Sequence, residues 1–172
     1  MLCPRCGNDN VPGLDVCSRC DQDLAQIDLP AGQDRVESSL LEDHISCLNP
    51  RRPVTINGTT TVRQAVRVMT DESVGAVLVV DSFGQLDGIL SERDLLMWAA
   101  DLPGDQLDSR LAREFMTDNP DTVAPDDLLA RALQKMDVGR YRHLPVVVAG
   151  KPVGVISVRD VIQHISRLCK ES

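Results

Sequence analysis

Two stretches of this 172-residue chain repeat one another in order. The first contains Pro53-Val54-Thr55-Ile56, Ala65-Val66 with Met69, Val77-Leu78-Val79-Val80-Asp81, and Gly88-Ile89-Leu90-Ser91-Glu92-Arg93-Asp94-Leu95. The second contains Asp121-Thr122-Val123-Ala124, Ala132-Leu133 with Met136, Pro145-Val146-Val147-Val148, and Gly154-Val155-Ile156-Ser157-Val158-Arg159-Asp160-Val161. The closing motifs lie 66 residues apart. A duplicated unit restricts the fold strongly, because each copy must bury its apolar face against something, and the other copy is at hand. Each copy reads as strand, helix, strand, hairpin, strand, helix. Val62, Val66 and Met69, and likewise Leu129, Leu133 and Met136, have helical spacing. The two valine runs predict central strands buried on both faces. Asp81-Ser82-Phe83-Gly84 and Ala149-Gly150-Lys151-Pro152 predict hairpin turns. Closing helices are expected from Glu92 to Ala100 and from Val158 to Cys169. The fold class is therefore α/β (α+β), two βαββα repeats packed as one pseudo-symmetric domain.

A second signal precedes the repeats. Cys3, Cys6, Cys17 and Cys20 form C-x2-C-x10-C-x2-C. Each C-x-x-C makes a tight turn that aims two thiolates at one point, and two such turns supply the tetrahedral sulfur set that Zn2+ prefers. Pro4 stiffens the first turn, Gly7 permits a positive φ, and Pro12-Gly13 marks a turn between the halves. Two disulfides, four free thiols or a rubredoxin-like iron–sulfur site are the alternatives. So short a segment cannot fold on an apolar core alone, and a metal would supply its folding energy. With four protein ligands the site would be closed to catalysis. The segment resembles a minimal zinc ribbon, a module used for interaction in unrelated proteins. Cys47 and Cys169 lack such partners and are expected as small buried hydrophobes.

Charge and composition exclude several tasks. Net charge is −8, and aromatic residues are 2% of the chain. A duplex-binding face and a broad stacking platform for single strands are both disfavoured. Residues 1–50 carry nine acids and three bases, whereas residues 51–172 carry 17 and 15. No apolar run approaches the ~18 residues of a membrane span. The start of the chain has no apolar signal-peptide core. A soluble, cytoplasmic protein with reduced cysteines is expected. The stretch from Val36 to Leu48 approximates an apolar helical stripe after a tether over residues 21–34 with a Leu29-Pro30 break. No Walker loop, nucleophile elbow or H-E-x-x-H spacing is present, so an enzyme is not expected. His44 and His164 have no evident partners and are expected on helix surfaces. Trp98 is expected against the core or a second copy of the chain.

The two Ser-x-x-Asp turns have a local meaning, since a Ser before a helix and an Asp three residues on form a capping box. The same groups can serve a ligand. A helix start offers free N–H groups to phosphate, and a carboxylate accepts two hydrogen bonds from a ribose diol. Capping alone gives no reason for Arg93 and Arg159 beside both Asp residues.

Together with Phe115-Met116-Thr117 before Pro120, Thr122-Val123 and Arg142-His143-Leu144-Pro145-Val146, these turns resemble a tandem pair of CBS domains, also called a Bateman module, over residues 47–170. The resemblance implies segments 1–24 (ribbon), 25–46 (linker and docking helix), 47–105 (first repeat) and 106–172 (second repeat). It implies an adenine nucleotide (AMP, ADP or ATP) whose ribose is held by the Asp and whose phosphates are held by the Ser and nearby basic groups. One site would join Ser91, Arg93 and Asp94 to Thr122, Val123, Tyr141, Arg142, His143, Leu144 and Pro145. The other would join Ser157, Arg159 and Asp160 to Thr55, Ile56, Ser73, Val74, Gly75 and Ala76. Arg140, Arg142, His143 and Lys151 make the first the stronger expected phosphate site. Tyr141 could equally pack on the domain edge, and His143 could be a partly buried ring with satisfied hydrogen bonds. The family also implies a homodimer through helical faces. The expected function is a nucleotide-sensing regulatory protein whose ribbon meets an unknown protein target. The alternative is a dimerising adaptor whose repeats bind no ligand, with nucleic acid the less favoured target.

Overall fold

The computed structural model describes residues 3, 5–10, 16–21, 35–99 and 107–170. Pro4, the Pro12-Gly13 turn, the tether over 22–34 and Ala100 lie outside the described residues. The chain divides into two compact units, residues 1–38 and 39–172.

In the first unit the backbone folds into two matching knuckles. Gly7 N donates to Cys3 O at 2.8 Å, and Asp21 N donates to Cys17 O at 3.0 Å. Both knuckles close on a positive φ, Gly7 at 69° and Asp21 at 55°. Asn10 is buried between them. Its Oδ1 accepts from the backbone N and the hydroxyl of Ser18, each at 3.1 Å, and from Asn8 Nδ2 at 3.2 Å. A buried amide is stable only when so satisfied.

The elements are α1 (Arg35–Glu42), β1 (Thr55–Asn57), α2 (Val62–Asp71), β2 (Ala76–Val80), β3 (Leu86–Ser91), α3 (Glu92–Ala99), β4 (Thr117–Asp118), α4 (Leu129–Gly139), β5 (His143–Val148), β6 (Lys151–Ser157) and α5 (Val158–Lys170). The helix expected across 36–48 is broken. It stops at Glu42, and a separate 3-10 turn spans Ile45–Leu48. The 126–129 segment enforces the break: Leu129 N donates to Asp43 O at 2.9 Å, and Ile45 N donates to Asp127 O at 2.8 Å.

The first repeat forms a sheet of order β1-β2-β3-β4 with β1 and β2 parallel and the rest antiparallel. The second repeat has the same order with shorter flanks. Beside the β5–β6 hairpin, Val123 bridges Val146 in parallel and Arg51 bridges Val155 antiparallel. Each sheet thus takes its outer strand from the segment leading into the other repeat. Thr117 lies on Ile89, and Arg51 on Val155, at the same 66-residue offset. The motif glycines make room for these strands. A Cβ on Gly154 would lie 2.6 Å from Pro50 Cβ, and one on Gly88 would lie 2.5 Å from Met116 Sδ.

Each repeat has its own core, one around Val62, Ala65, Met69, Val77 and Leu90, the other around Leu129, Ala132, Met136, Leu144 and Ile156. Ala65, rather than the expected Val66, completes the buried face of α2, and Val66 is exposed. Ala76, Leu78 and Ile89 pack with Val155, which joins the two sheets. The first valine strand is buried as predicted, but the second leaves the core at Val148. Its hairpin is a two-residue turn with Ala149 at φ 50° and Gly150 at φ 78°, the pairing that type I′ geometry demands. In the first hairpin Asp81 Oδ1 accepts from the backbone N–H groups of Phe83 and Gln85, both at 2.8 Å.

Candidate functional site

In both Ser-x-x-Asp turns the Asp carboxylate reaches back to the Ser, and in the first Ser91 Oγ also accepts from Asp94 N at 3.4 Å. Ser91 donates to Asp94 Oδ2 through its backbone N at 2.8 Å and its hydroxyl at 2.6 Å. Ser157 does the same to Asp160 Oδ2 at 2.7 and 2.6 Å. In each carboxylate one oxygen serves the cap. Asp160 Oδ1 lies 3.9 Å from Arg51 Nε, and Asp94 Oδ1 has no hydrogen-bond partner among the described residues. The second oxygen is what a diol would need.

The pairing of strand residues fixes the equivalence of the repeats. Ala76 pairs with Ser91, and His143 pairs with Ser157. Ser73-Val74-Gly75-Ala76 therefore corresponds to Arg140-Tyr141-Arg142-His143. The offset falls from 67 residues before the hairpins to 66 after them, because the first hairpin is one residue longer. Thr55 and Ile56 correspond to Thr122 and Val123.

His143 sits at the junction of the repeats. A Cβ on Gly75 would lie 3.3 Å from its ring and 3.3 Å from Glu92 Oε2. Burial lowers the His143 pKa below the ordinary histidine value, against the opposite pull of Glu92 and Asp160. Leu144 and Pro145 are fully buried, and Val123, Ile56 and Ala76 nearly so. Val74 is half-buried against the first core, Thr55 is exposed, and Thr122 is half-buried with its carbonyl on Lys135 Nζ at 2.9 Å.

Tyr141 donates its hydroxyl to Asp121 Oδ2. Burial and this partner push its pKa up to about 12. Its ring lies where a side chain on Gly139 would be, so it packs on the end of α4. Arg93 Nη1 donates to Arg140 O at 2.8 Å, which brings the start of α3 to the end of α4. Arg142 and Arg159 are exposed. Lys151 pairs with Val148 at the far end of the hairpin from His143 and Ser157, so it does not join the basic cluster the sequence suggested.

Basic side chains gather elsewhere. An open groove of about 450 Å³ beside Asp160 is lined by Asn49, Arg51, Gln163, Arg167 and Lys170. Its volume falls in the range of small-molecule sites. Sequence reading missed it because Arg51 and Lys170 are 119 positions apart, and they meet only through the bridge of Arg51 to Val155.

The four front cysteines converge, with Cys3 Sγ 3.6 Å from Cys20 Sγ, Cys6 Sγ 3.7 Å from Cys17 Sγ, and all four within 4.8 Å of one another. Metal–sulfur bonds of about 2.3 Å in a tetrahedron set sulfurs about 3.8 Å apart. The donor set therefore fits a zinc-sized ion. Arg19 N–H, 3.4 Å from Cys17 Sγ, is the main reason that thiol is lowered to about 6. All six cysteines are free thiols. Cys47 packs against the second core, but Cys169 is exposed, contrary to expectation.

The duplicated sheet, the swapped outer strands and the paired Ser–Asp caps define a tandem-repeat module. A family model for the CBS domain matches residues 45–101 and 112–167, and the chain belongs to this family. A CBS domain-containing protein of Arabidopsis thaliana, CBSCBSPB2, is 36% identical over 75% of this chain and 24% of its own length, so the chain spans about a quarter of that relative. The solved CBS-domain containing protein ATU1752 of Agrobacterium tumefaciens is 28% identical, with a TM-score of 0.64 over 70% of this chain and 94% of that one. The fold is also that of CBSX2, solved in complex with AMP, at 23% identity and a TM-score of 0.63 over 73% of this chain and 98% of that one. Among the described residues no helix is long and apolar enough to cross a membrane.

Proposed function

We propose that the chain is a regulatory protein that binds an adenine nucleotide at its CBS pair, using Asp94 and Asp160 as ribose ligands. The observation that carries this reading is the division of labour in the two carboxylates: Oδ2 holds the cap and Oδ1 is left over. The AMP bound by CBSX2 supports the ligand class. The Asp160 end is the better phosphate site, because Arg51, Arg167 and Lys170 line its groove, whereas Arg93 is engaged with a carbonyl. Ligand binding regulates only through unequal affinity for two states. Those states are two arrangements of the repeats, with His143 at their junction. Zn2+ occupies the front cysteines, and that unit meets a protein target. Leu96, Met97 and Trp98 are 75%, 69% and 53% exposed on α3, and they form the contact of a homodimer.

The test is a thermal-shift titration of zinc-loaded protein with AMP, ADP and ATP. A ligand at 100 times its Kd stabilises by about 2.7 kcal/mol. A dose-dependent rise in Tm with at least one nucleotide is expected. No rise with any of them would leave the caps as structural features and favour the ligand-free dimerising adaptor.

A further inference from the structure

His164 was expected on a helix surface. It is instead buried, and its Nε2 lies 2.7 Å from Ser39 Oγ and 3.5 Å from Asp43 Oδ2. Ser39 also donates to Asp43. The trio is not a relay of the serine-hydrolase kind, because hydroxyl and carboxylate meet the same ring nitrogen. A relay needs them on opposite nitrogens. A third ligand-type group completes a different constellation. Cys47 Sγ, a His164 ring nitrogen and an Asp43 carboxylate oxygen all lie within 4.8 Å of one another.

We propose that Asp43, Cys47 and His164 form a second metal site, specific for Zn2+ or a similar borderline divalent ion, separate from the four front cysteines. One thiolate, one imidazole and one carboxylate are the ligand types such ions combine, and they avoid the all-oxygen preference of Mg2+ or Ca2+. Bonds of about 2.0–2.3 Å put tetrahedral ligand atoms about 3.3–3.7 Å apart. The His164–Asp43 edge already has this length. The cysteine must close by at most about 1.5 Å to reach that range.

The supporting backbone is fixed. Asp43 N donates to Ser39 O at 2.9 Å, Asp43 O accepts from Leu129 N, and Cys47 N donates to His44 O at 3.0 Å. Asp43 and Cys47 therefore stand four residues apart on a held segment, with α5 across from them. The thiolate and the carboxylate balance a divalent charge, with Arg167 the nearby cation. Three protein ligands leave a fourth position, which a water can fill. The ion would tie the segment before the first repeat to the last helix of the second.

The experiment counts metal on the full chain. Wild type, Cys47→Ser, Asp43→Asn and Ser39→Ala are stripped, reloaded with Zn2+, gel-filtered and assayed for bound zinc per chain. Far-UV circular dichroism confirms that each is folded. Cys47→Ser and Asp43→Asn are expected to hold one zinc fewer than wild type, and Ser39→Ala is expected to hold the same number as wild type. Since the readout is a difference, it does not depend on whether the front cysteines are loaded. Co2+ spectra of wild type minus Cys47→Ser should contain the absorption of a single-thiolate site. Equal zinc in wild type, Cys47→Ser and Asp43→Asn would overturn the proposal.

Discussion

Trp98 and His164 occupy the same place in the two repeats, 66 residues apart, one turn after the capping Asp. Trp98 meets Phe115 edge-on, with ring centroids 6.0 Å apart. His164 meets Ser39 and Asp43. The place of Phe115 in the first repeat is taken in the second by Asn49, which lines the basic groove. Met97 of the first repeat answers to Gln163 of the second. The same backbone thus carries an apolar end and a charged, polar end. The difference teaches that symmetry of fold does not give symmetry of chemistry. The strands, caps and glycines are shared, while the outer faces of α3 and α5 have been assigned to different partners.

The shared part can be broken first. Leu90 and Ile156 are equivalent, and both are fully buried. Leu90→Ala and Ile156→Ala should each cost about 2–5 kcal/mol. Urea unfolding should stay a single transition for residues 39–172, since Leu78 and Ile89 share a cluster with Val155 across the sheets. Two separated transitions in either variant would mean that the repeats are independent.

A sharper comparison uses the glycines. Gly154→Ala meets the rigid ring of Pro50, whereas Gly88→Ala meets the flexible end of Met116 and, at 3.0 Å, the Thr117 carbonyl. Overpacking costs about 1–3 kcal/mol. The larger loss in Tm is expected for Gly154→Ala. The caps should behave alike: Ser91→Ala and Ser157→Ala each lose about 1 kcal/mol by denaturant titration. Unequal losses would show that one serine has a further structural partner.

The sequence made the repeated parts readable for physical reasons. Apolar periodicity marks α2 and α4, valine runs mark β2 and the second half of β5, and Ser-x-x-Asp marks the two helix starts. Where a signal lasts only two residues it fails. β4 and the bridge at Arg51 carry no period, so the exchange of outer strands was invisible, and with it the groove at Asp160 and the reason for Gly88 and Gly154. His164 was misread because Ser39, its partner, is 125 residues away. The C-x-x-C pairs were legible because each is complete within four residues, but the buried Asn10 that braces them was not singled out.

Two pH effects follow, smaller in kind. The unfolded chain protonates His143 at its ordinary value before the folded chain does. Stability from this group is therefore full above that value and declines as pH falls through it. His143→Gln should flatten the acid limb of the Tm profile, while a change at the equivalent Ala76 should not. Cys17, lowered to about 6, keeps a thiolate for metal near neutrality. Because bound metal competes with protons for the thiolates, metal is expected to leave the front cysteines only on acidification below that pH, measured with a zinc-responsive dye.

The most direct measurement is isothermal titration of wild type, Asp94→Asn and Asp160→Asn with AMP and ATP at one salt concentration. The account predicts binding by wild type, with Asp160→Asn losing affinity by tenfold or more for at least one nucleotide, about 1.4 kcal/mol, and Asp94→Asn losing less for the same ligand. Wild-type affinity retained in both variants, or no heat with wild type, would contradict it.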